Sequence, residues 1–133
     1  IRAYPDMRYW VIGGHSLGGS MAASYAKKHT DKVQGLAFWA SYPGTSDDLS
    51  STSLKGLSTY GSNDLVLNRD NLNATLSLLP PGTIIQVIQG GNHAQFGNYG
   101  LQPGDGTATI SAADQQAQAA DLTMRLLRAV EGE

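Results

Sequence analysis

The chain has 133 residues, the length of one domain, and its 41% hydrophobic and 15% charged residues are typical of a folded globular protein. The net charge of −2 provides no basic surface for nucleic acid, and no apolar run approaches the ~20 residues that a membrane span needs. The absence of cysteine excludes disulfides, thiolate metal sites and cysteine nucleophiles. No targeting segment can be read from a chain that begins with Ile1, so the compartment stays open, with the cytoplasm slightly favoured.

Strands alternate with helices along the chain. Short β-branched or aromatic runs predict strands at 9–12, 33–40, 54–60 and 83–88, and apolar spacing predicts helices at 17–29, 71–79 and 112–130. Residues 41–53 and 97–110 are rich in Gly and polar residues and predict loops. The alternation predicts βαβ units, and therefore an α/β fold: a three-layer sandwich with a mostly parallel sheet of about four strands and three main helices.

The faces of two helices follow from the same spacing. In the first helix we expect Met21, Ala22, Tyr25, Ala26 and His29 to share one face, and small residues to let the helix press close to the sheet. Ser111 is the predicted N-cap of the last helix. The residues that we place on one face of that last helix are Ala119, Leu122, Leu126 and Leu127.

A candidate nucleophile follows the first strand. Gly14-His15-Ser16-Leu17-Gly18 is a G-x-S-x-G pattern that lies between a predicted strand and a predicted helix. Glycines on both sides let the backbone turn sharply enough to push the Ser16 hydroxyl out above the sheet. The start of a helix also provides free N–H groups, so the N–H of Leu17 is a candidate donor to an oxyanion.

A candidate acid and a candidate base follow later strands. Asp64 lies in Gly61-Ser62-Asn63-Asp64 after the third strand, and Asp70 and Asp47-Asp48 are its competitors. His93 ends Gly90-Gly91-Asn92-His93 after the fourth strand. His29 lies at a helix end, and His15 is too close to Ser16 on the same turn to act as its base. Parallel strands carry functional groups at their carboxyl ends, so we expect Ser16, Asp64 and His93 to meet.

This chain order of serine, acid and histidine, with the serine on G-x-S-x-G, resembles the alpha/beta-hydrolase fold family. The resemblance covers about residues 9–130 and corresponds to the C-terminal half of the family's sheet, from the nucleophile strand onward. It implies an incomplete fold, because the family's earlier strands and the loop that provides its second oxyanion donor have no counterpart here. We therefore expect residues 1–133 to be a single domain that forms the C-terminal portion of a larger protein, with the rest in the same polypeptide or in a companion chain.

The resemblance implies a serine hydrolase that cleaves a carboxylic ester through an acyl-enzyme intermediate. Its implied roles are nucleophile for Ser16, base for His93, acid for Asp64 and oxyanion donor for Leu17. No cofactor or metal ion is expected, because the sequence has neither a nucleotide-binding glycine pattern nor a ligand cluster. A small ester or acyl compound is the expected substrate, and the short loop 41–53 implies an open site.

Other interpretations remain open at this point. An acyltransferase, a thioesterase, a peptidase or a carbon–carbon bond hydrolase would use the same three residues. A binding module that has lost turnover and a non-functional fragment are the alternatives outside catalysis. The loop 97–110 either lines the pocket or is a solvated connection, and Gln95, Phe96 and Tyr99 are expected to pack beside His93 as supporting side chains.

Overall fold

A computed structural model describes all residues from 1 to 133. Four strands form one parallel sheet in the order β1-β2-β3-β4, with β1 at Val11–His15, β2 at Gly35–Trp39, β3 at Lys55–Gly61 and β4 at Ile84–Ile88. The helices are α1 at Leu17–Lys28, α2 at Arg69–Ala74 and α3 at Ala112–Glu131, with short 3₁₀ helices at Leu76–Leu78 and Ala94–Phe96. The predicted α/β class and the parallel sheet are confirmed. No helix is both long enough and apolar enough to cross a membrane.

The sheet separates two apolar cores, because alternate residues of each strand point to opposite faces. Leu36 and Phe38 of β2 point toward α1, whereas Ala37 between them points toward α3. The α1 side also contains Leu49, Leu54 and Leu79, contributed by segments that connect the strands. Helices on both faces produce the three layers, and β2 is buried on both sides.

The buried face of α1 differs from the predicted one. Its buried positions are Gly19, Ala22, Ala23 and Ala26, whereas Met21 and Tyr25 are exposed to 63% and 38%. Only small side chains fit where the helix presses against β1 and β2, so the long apolar residues are displaced to the outer face.

The other helices follow the prediction more closely. Ser111 caps α3 as predicted, accepting a hydrogen bond from the Asp114 N–H at 3.0 Å, but Leu127 lies at the exposed margin of its face. The predicted helix 71–79 is α2 followed by a 3₁₀ turn. Thr75 interrupts it, because its hydroxyl donates to the carbonyl oxygens of Asn71 and Leu72 and competes with the regular helix ladder.

Candidate active site

Ser16 occupies a strained turn between β1 and α1. Its φ of 54° and ψ of −128° lie in a region that side-chain-bearing residues rarely adopt. The turn is held from β2, because the Ser16 N–H donates to the Trp39 carbonyl at 3.0 Å and the Ser41 hydroxyl donates to the Ser16 carbonyl at 2.5 Å. A Cβ at Gly14 would collide with the Gly18 backbone, so the turn requires glycine there. These contacts hold Ser16 in the strained conformation, with its hydroxyl at the carboxyl end of the sheet.

The imidazole of His93 forms hydrogen bonds with side chains that follow two other strands. Its Nε2 lies 3.0 Å from the Ser16 Oγ after β1, and its Nδ1 lies 2.8 Å from the Asp64 Oδ2 after β3. His93 itself follows β4 in a turn before the 3₁₀ helix Ala94–Phe96. An ionised carboxylate can only accept, so Nδ1 carries the proton and Nε2 presents its lone pair to the Ser16 hydroxyl. Both His93 and Asp64 are at least 98% buried, whereas Ser16 is partly exposed.

The electrostatic setting of Asp64 favours its charged form. Burial by itself would raise the pKa of Asp64, but hydrogen bonds from the His93 ring and from the Leu67 and Val66 backbones outweigh burial and leave the pKa below its usual value. Its Oδ1 accepts from the Val66 N–H at 2.9 Å and from the Leu67 N–H at 2.8 Å. The Arg69 guanidinium donates to nearby carbonyl oxygens, including that of Asp64 at 3.3 Å. The carboxylate is therefore held on two sides and faces the imidazole.

Asp70 and Asp47-Asp48, the competing acids, lie outside this arrangement. Asp70 is exposed in the first turn of α2, and Asp48 accepts a hydrogen bond from the Ser50 N–H in the exposed loop after β2. Among these carboxylates, the one that contacts the imidazole of His93 is that of Asp64.

The turn after β3 that contains Asp64 (the acid turn) and the turn after β4 that contains His93 (the histidine turn) approach each other closely through their backbones. A Cβ at Gly61 would overlap the Gly91 backbone and come within 2.7 Å of the Asn92 nitrogen. Gln115 of α3 is fully buried and forms two hydrogen bonds to the backbone of the histidine turn. Its Oε1 accepts from the Asn92 N–H at 3.0 Å, and its Nε2 donates to the Asn92 carbonyl at 2.8 Å. Sequence reasoning missed Gln115, although a polar residue on the apolar side of a helix was the available signal.

His15 packs against the imidazole of His93. The two ring centroids are 4.5 Å apart, and the Tyr99 ring stacks on His15 with a centroid distance of 5.4 Å. Burial and then the nearby His93 lower the pKa of His15, so a neutral ring is favoured. The expectation that Phe96 and Tyr99 pack beside His93 needs correction, because both rings lie against His15. Gln95 instead donates to the Gln115 side chain at 3.1 Å.

Two cavities lie near these residues. A cavity of about 230 Å³ opens on the Ser16 hydroxyl. Its lining contains no Asp, Glu, Lys or Arg and consists of Ser16, Leu17, Ser20, Ser41, Tyr42, Val66, Leu67, Asn68 and His93. A second cavity of about 350 Å³ is mainly apolar and lies between Trp39, Phe96 and α3, without contact to Ser16 or His93. The polar cavity is therefore the one in which a substrate of Ser16 would sit.

No group of three or more His, Cys, Asp or Glu side chains is arranged to hold a metal ion.

The α1 helix begins at Leu17, so the Leu17 N–H is one of the groups that a helix leaves without an internal partner. This N–H therefore remains available beside the Ser16 hydroxyl.

The fold is α/β with a parallel sheet, and comparison with known proteins identifies the family. The model of the alpha/beta hydrolase family matches residues 1–117, and the chain belongs to that family. No curated protein matches the chain.

Two crystal structures share its fold. A predicted CIB-like hydrolase from Thermoplasma acidophilum is 24% identical, with a TM-score of 0.57 over 66% of this chain and 43% of that one. MGS-MChE2, an alpha/beta hydrolase enzyme from the metagenome of lagoon sediments at Mar Chica, Morocco, is 18% identical, with a TM-score of 0.59 over 73% of this chain and 58% of that one. The chain thus spans about half the length of these structures.

Proposed function

We propose that this chain provides the catalytic residues of a serine hydrolase that cleaves acyl bonds, most readily those of carboxylic esters. The observation that carries the proposal is the unbroken hydrogen-bond chain from the Ser16 Oγ through both ring nitrogens of His93 to the Asp64 carboxylate. A hydroxyl, a base and an orienting acid in this order are the groups that activate a serine nucleophile.

The reaction then proceeds in two halves. His93 Nε2 accepts the Ser16 proton while Oγ bonds to the acyl carbon, and the tetrahedral intermediate collapses as His93 returns that proton to the departing alcohol. Water loses a proton to His93 and attacks the acyl-serine, and the carboxylic acid leaves as Oγ regains its proton. Asp64 accepts the Nδ1–H throughout and stabilises the imidazolium, which is consistent with its lowered pKa.

The Leu17 N–H is the proposed donor to the oxyanion, because it opens α1 directly after the nucleophile. The polar cavity favours small or medium-sized esters, since its volume is about 230 Å³ and its lining includes the side chains of Tyr42 and Asn68. A second oxyanion donor is proposed to come from a segment beyond these 133 residues.

The unpaired edge of β1 is the reason to propose a further segment that pairs with this sheet. The Trp10 carbonyl and the Ser16 N–H both form hydrogen bonds on the β2 side. Successive residues of a strand direct their N–H and C=O groups to opposite sides, so those of Val11, Gly13 and His15 are directed away from β2. Leu17, Met21 and Tyr25 form an exposed apolar stripe along α1. We propose that a segment of the same polypeptide or of a companion chain adds a parallel strand at this edge and covers the stripe.

Hydrogen exchange tests this partner segment. In the 133-residue chain the N–H groups of Val11, Gly13 and His15 should exchange fast, and in a longer form or a reconstituted complex they should be protected. Equal exchange rates in both forms would refute the pairing.

Turnover of a panel of esters by the longest available form of the protein tests the function. We expect hydrolysis of short-chain esters, its loss in Ser16→Ala, and wild-type rates in the matched control Ser24→Ala, which changes a serine of α1 away from the cavity. Faster cleavage of thioesters or transfer to an added alcohol would favour the thioesterase or acyltransferase alternative. Saturable binding of an ester without turnover would instead identify a binding module.

A further inference from the structure

Asp105, in the loop between the 3₁₀ helix Ala94–Phe96 and α3, binds the backbone of His93. Its Oδ1 accepts from the His93 N–H at 3.2 Å and from the Gly106 N–H at 2.8 Å, and its Oδ2 accepts from the Ala94 N–H at 2.9 Å. The first N–H groups of a helical turn have no partner inside the turn, so a carboxylate is well suited to satisfy them. Each carboxylate oxygen thus accepts a hydrogen bond from a backbone N–H of the segment that carries His93.

The loop around Asp105 is tied to both turns of the candidate site. The Asn63 side-chain amide donates to the Thr107 carbonyl at 2.8 Å, and the Asn92 side-chain amide donates to the Gly106 carbonyl at 2.9 Å. Asp105 is therefore anchored between the turn that contains the acid and the turn that contains the histidine. This arrangement argues against a purely solvated connection for residues 97–110.

We propose that Asp105 is a positioning residue, which fixes the His93 backbone and thereby aims Nε2 at the Ser16 hydroxyl. The inference rests on the proposed function, because positioning has a catalytic effect only if His93 is the base. His93 lies outside any strand or α-helix, so its backbone lacks the ladder of hydrogen bonds that orients β-strand residues. The Asp105 carboxylate supplies this constraint by charge-assisted bonds on two consecutive N–H groups.

The test compares Asp105→Asn and Asp105→Ala with the control Asp121→Asn, which makes the same charge change on the exposed side of α3. The readout is the rate constant for fluorophosphonate labelling of Ser16 across a range of pH. We expect about 10- to 100-fold slower labelling of both Asp105 variants, because a small displacement of a catalytic group has effects of this size. The labelling rate constant of Asp121→Asn should match that of the wild type.

Wild-type labelling rates in the Asp105 variants would overturn the proposal. Slower labelling that is fully accounted for by a smaller folded fraction, measured from the melting curve, would also overturn it, since that result indicates a purely structural role. Asp105→Asn keeps one carbonyl acceptor and the side-chain size, so it remains informative if Asp105→Ala fails to fold.

Proton NMR separates this inference from the proposed function. The His93 Nδ1–H, which bonds to Asp64, should give a low-field signal that Asp64→Asn removes. This signal should shift or broaden in folded Asp105→Asn, and an unchanged signal would refute positioning by Asp105. If the wild-type protein is not labelled at all, the proposed function fails and the proton signal alone decides the role of Asp105.

Discussion

Replacing Asp64 by Asn removes the acceptor for the His93 Nδ1–H while preserving the shape of the side chain. The amide carbonyl of Asn can still accept from the Val66 and Leu67 N–H groups, which bind the Asp64 Oδ1 at 2.9 and 2.8 Å. Its NH₂ group then faces His93 Nδ1 across the former 2.8 Å bond. Since NH₂ can only donate, His93 must place its proton on Nε2, where it no longer accepts from Ser16.

The expected result is a loss of about 10⁴-fold in ester turnover, the size that a wrong histidine tautomer produces in other serine enzymes. This loss corresponds to roughly 5.4 kcal/mol of transition-state stabilisation at 1.36 kcal/mol for each factor of ten. The melting temperature should change little, because both backbone bonds of the side chain survive.

The assay is the steady-state hydrolysis of a chromogenic short-chain ester, with circular dichroism melting as a check on folding. Asp70→Asn is the matched control, because it removes an exposed carboxylate six residues along the chain. We expect wild-type turnover for this control. Turnover of Asp64→Asn within about tenfold of the wild type, in a folded protein, would refute the assignment of Asp64 and its tautomer role.

Three further predictions concern stability and the serine turn. Ser16→Gly should melt at a higher temperature than Ser16→Ala, because glycine relieves the strain of a φ of 54°. Gly61→Ala should lower the denaturation midpoint clearly, since its Cβ would overlap the Gly91 backbone, and unchanged urea unfolding would contradict that contact. His15 has a lowered pKa, so the unfolded state binds more protons below the ordinary value of 6.5, and stability should fall as pH drops through this window. His15→Phe should flatten this dependence in urea titrations at several pH values.

The fold could be predicted from the sequence because short runs of β-branched and aromatic residues occur where the structure has strands. Tyr9–Ile12 and Thr83–Ile88 are short β-branched or aromatic runs, and the structure places strands within two or three residues of both. The G-x-S-x-G pattern located the turn at Ser16, and its first glycine, Gly14, is required there because a Cβ would collide with the Gly18 backbone.

Other features depended on tertiary contacts that no local pattern encodes. The sequence predicted that small residues bring α1 close to the sheet, but how little space this leaves for longer side chains depends on the packed sheet, so Met21 and Tyr25 were assigned to the wrong face. Asp105 and Gln115 lie far from Ser16 in the sequence and form hydrogen bonds to the backbone of residues 92 and 93. Gln115 could have been noticed as a polar residue on the apolar side of a helix, whereas Asp105 lies in a loop without any such pattern and is revealed only by its contacts.

The most direct test of the account is labelling of the longest available form of the protein with a fluorophosphonate, followed by intact mass and peptide mapping. We expect a single adduct on Ser16, which is lost on heat denaturation and in His93→Ala. Labelling of a folded protein at another residue, or equal labelling of Ser16 in His93→Ala, would contradict the claim that His93 activates Ser16.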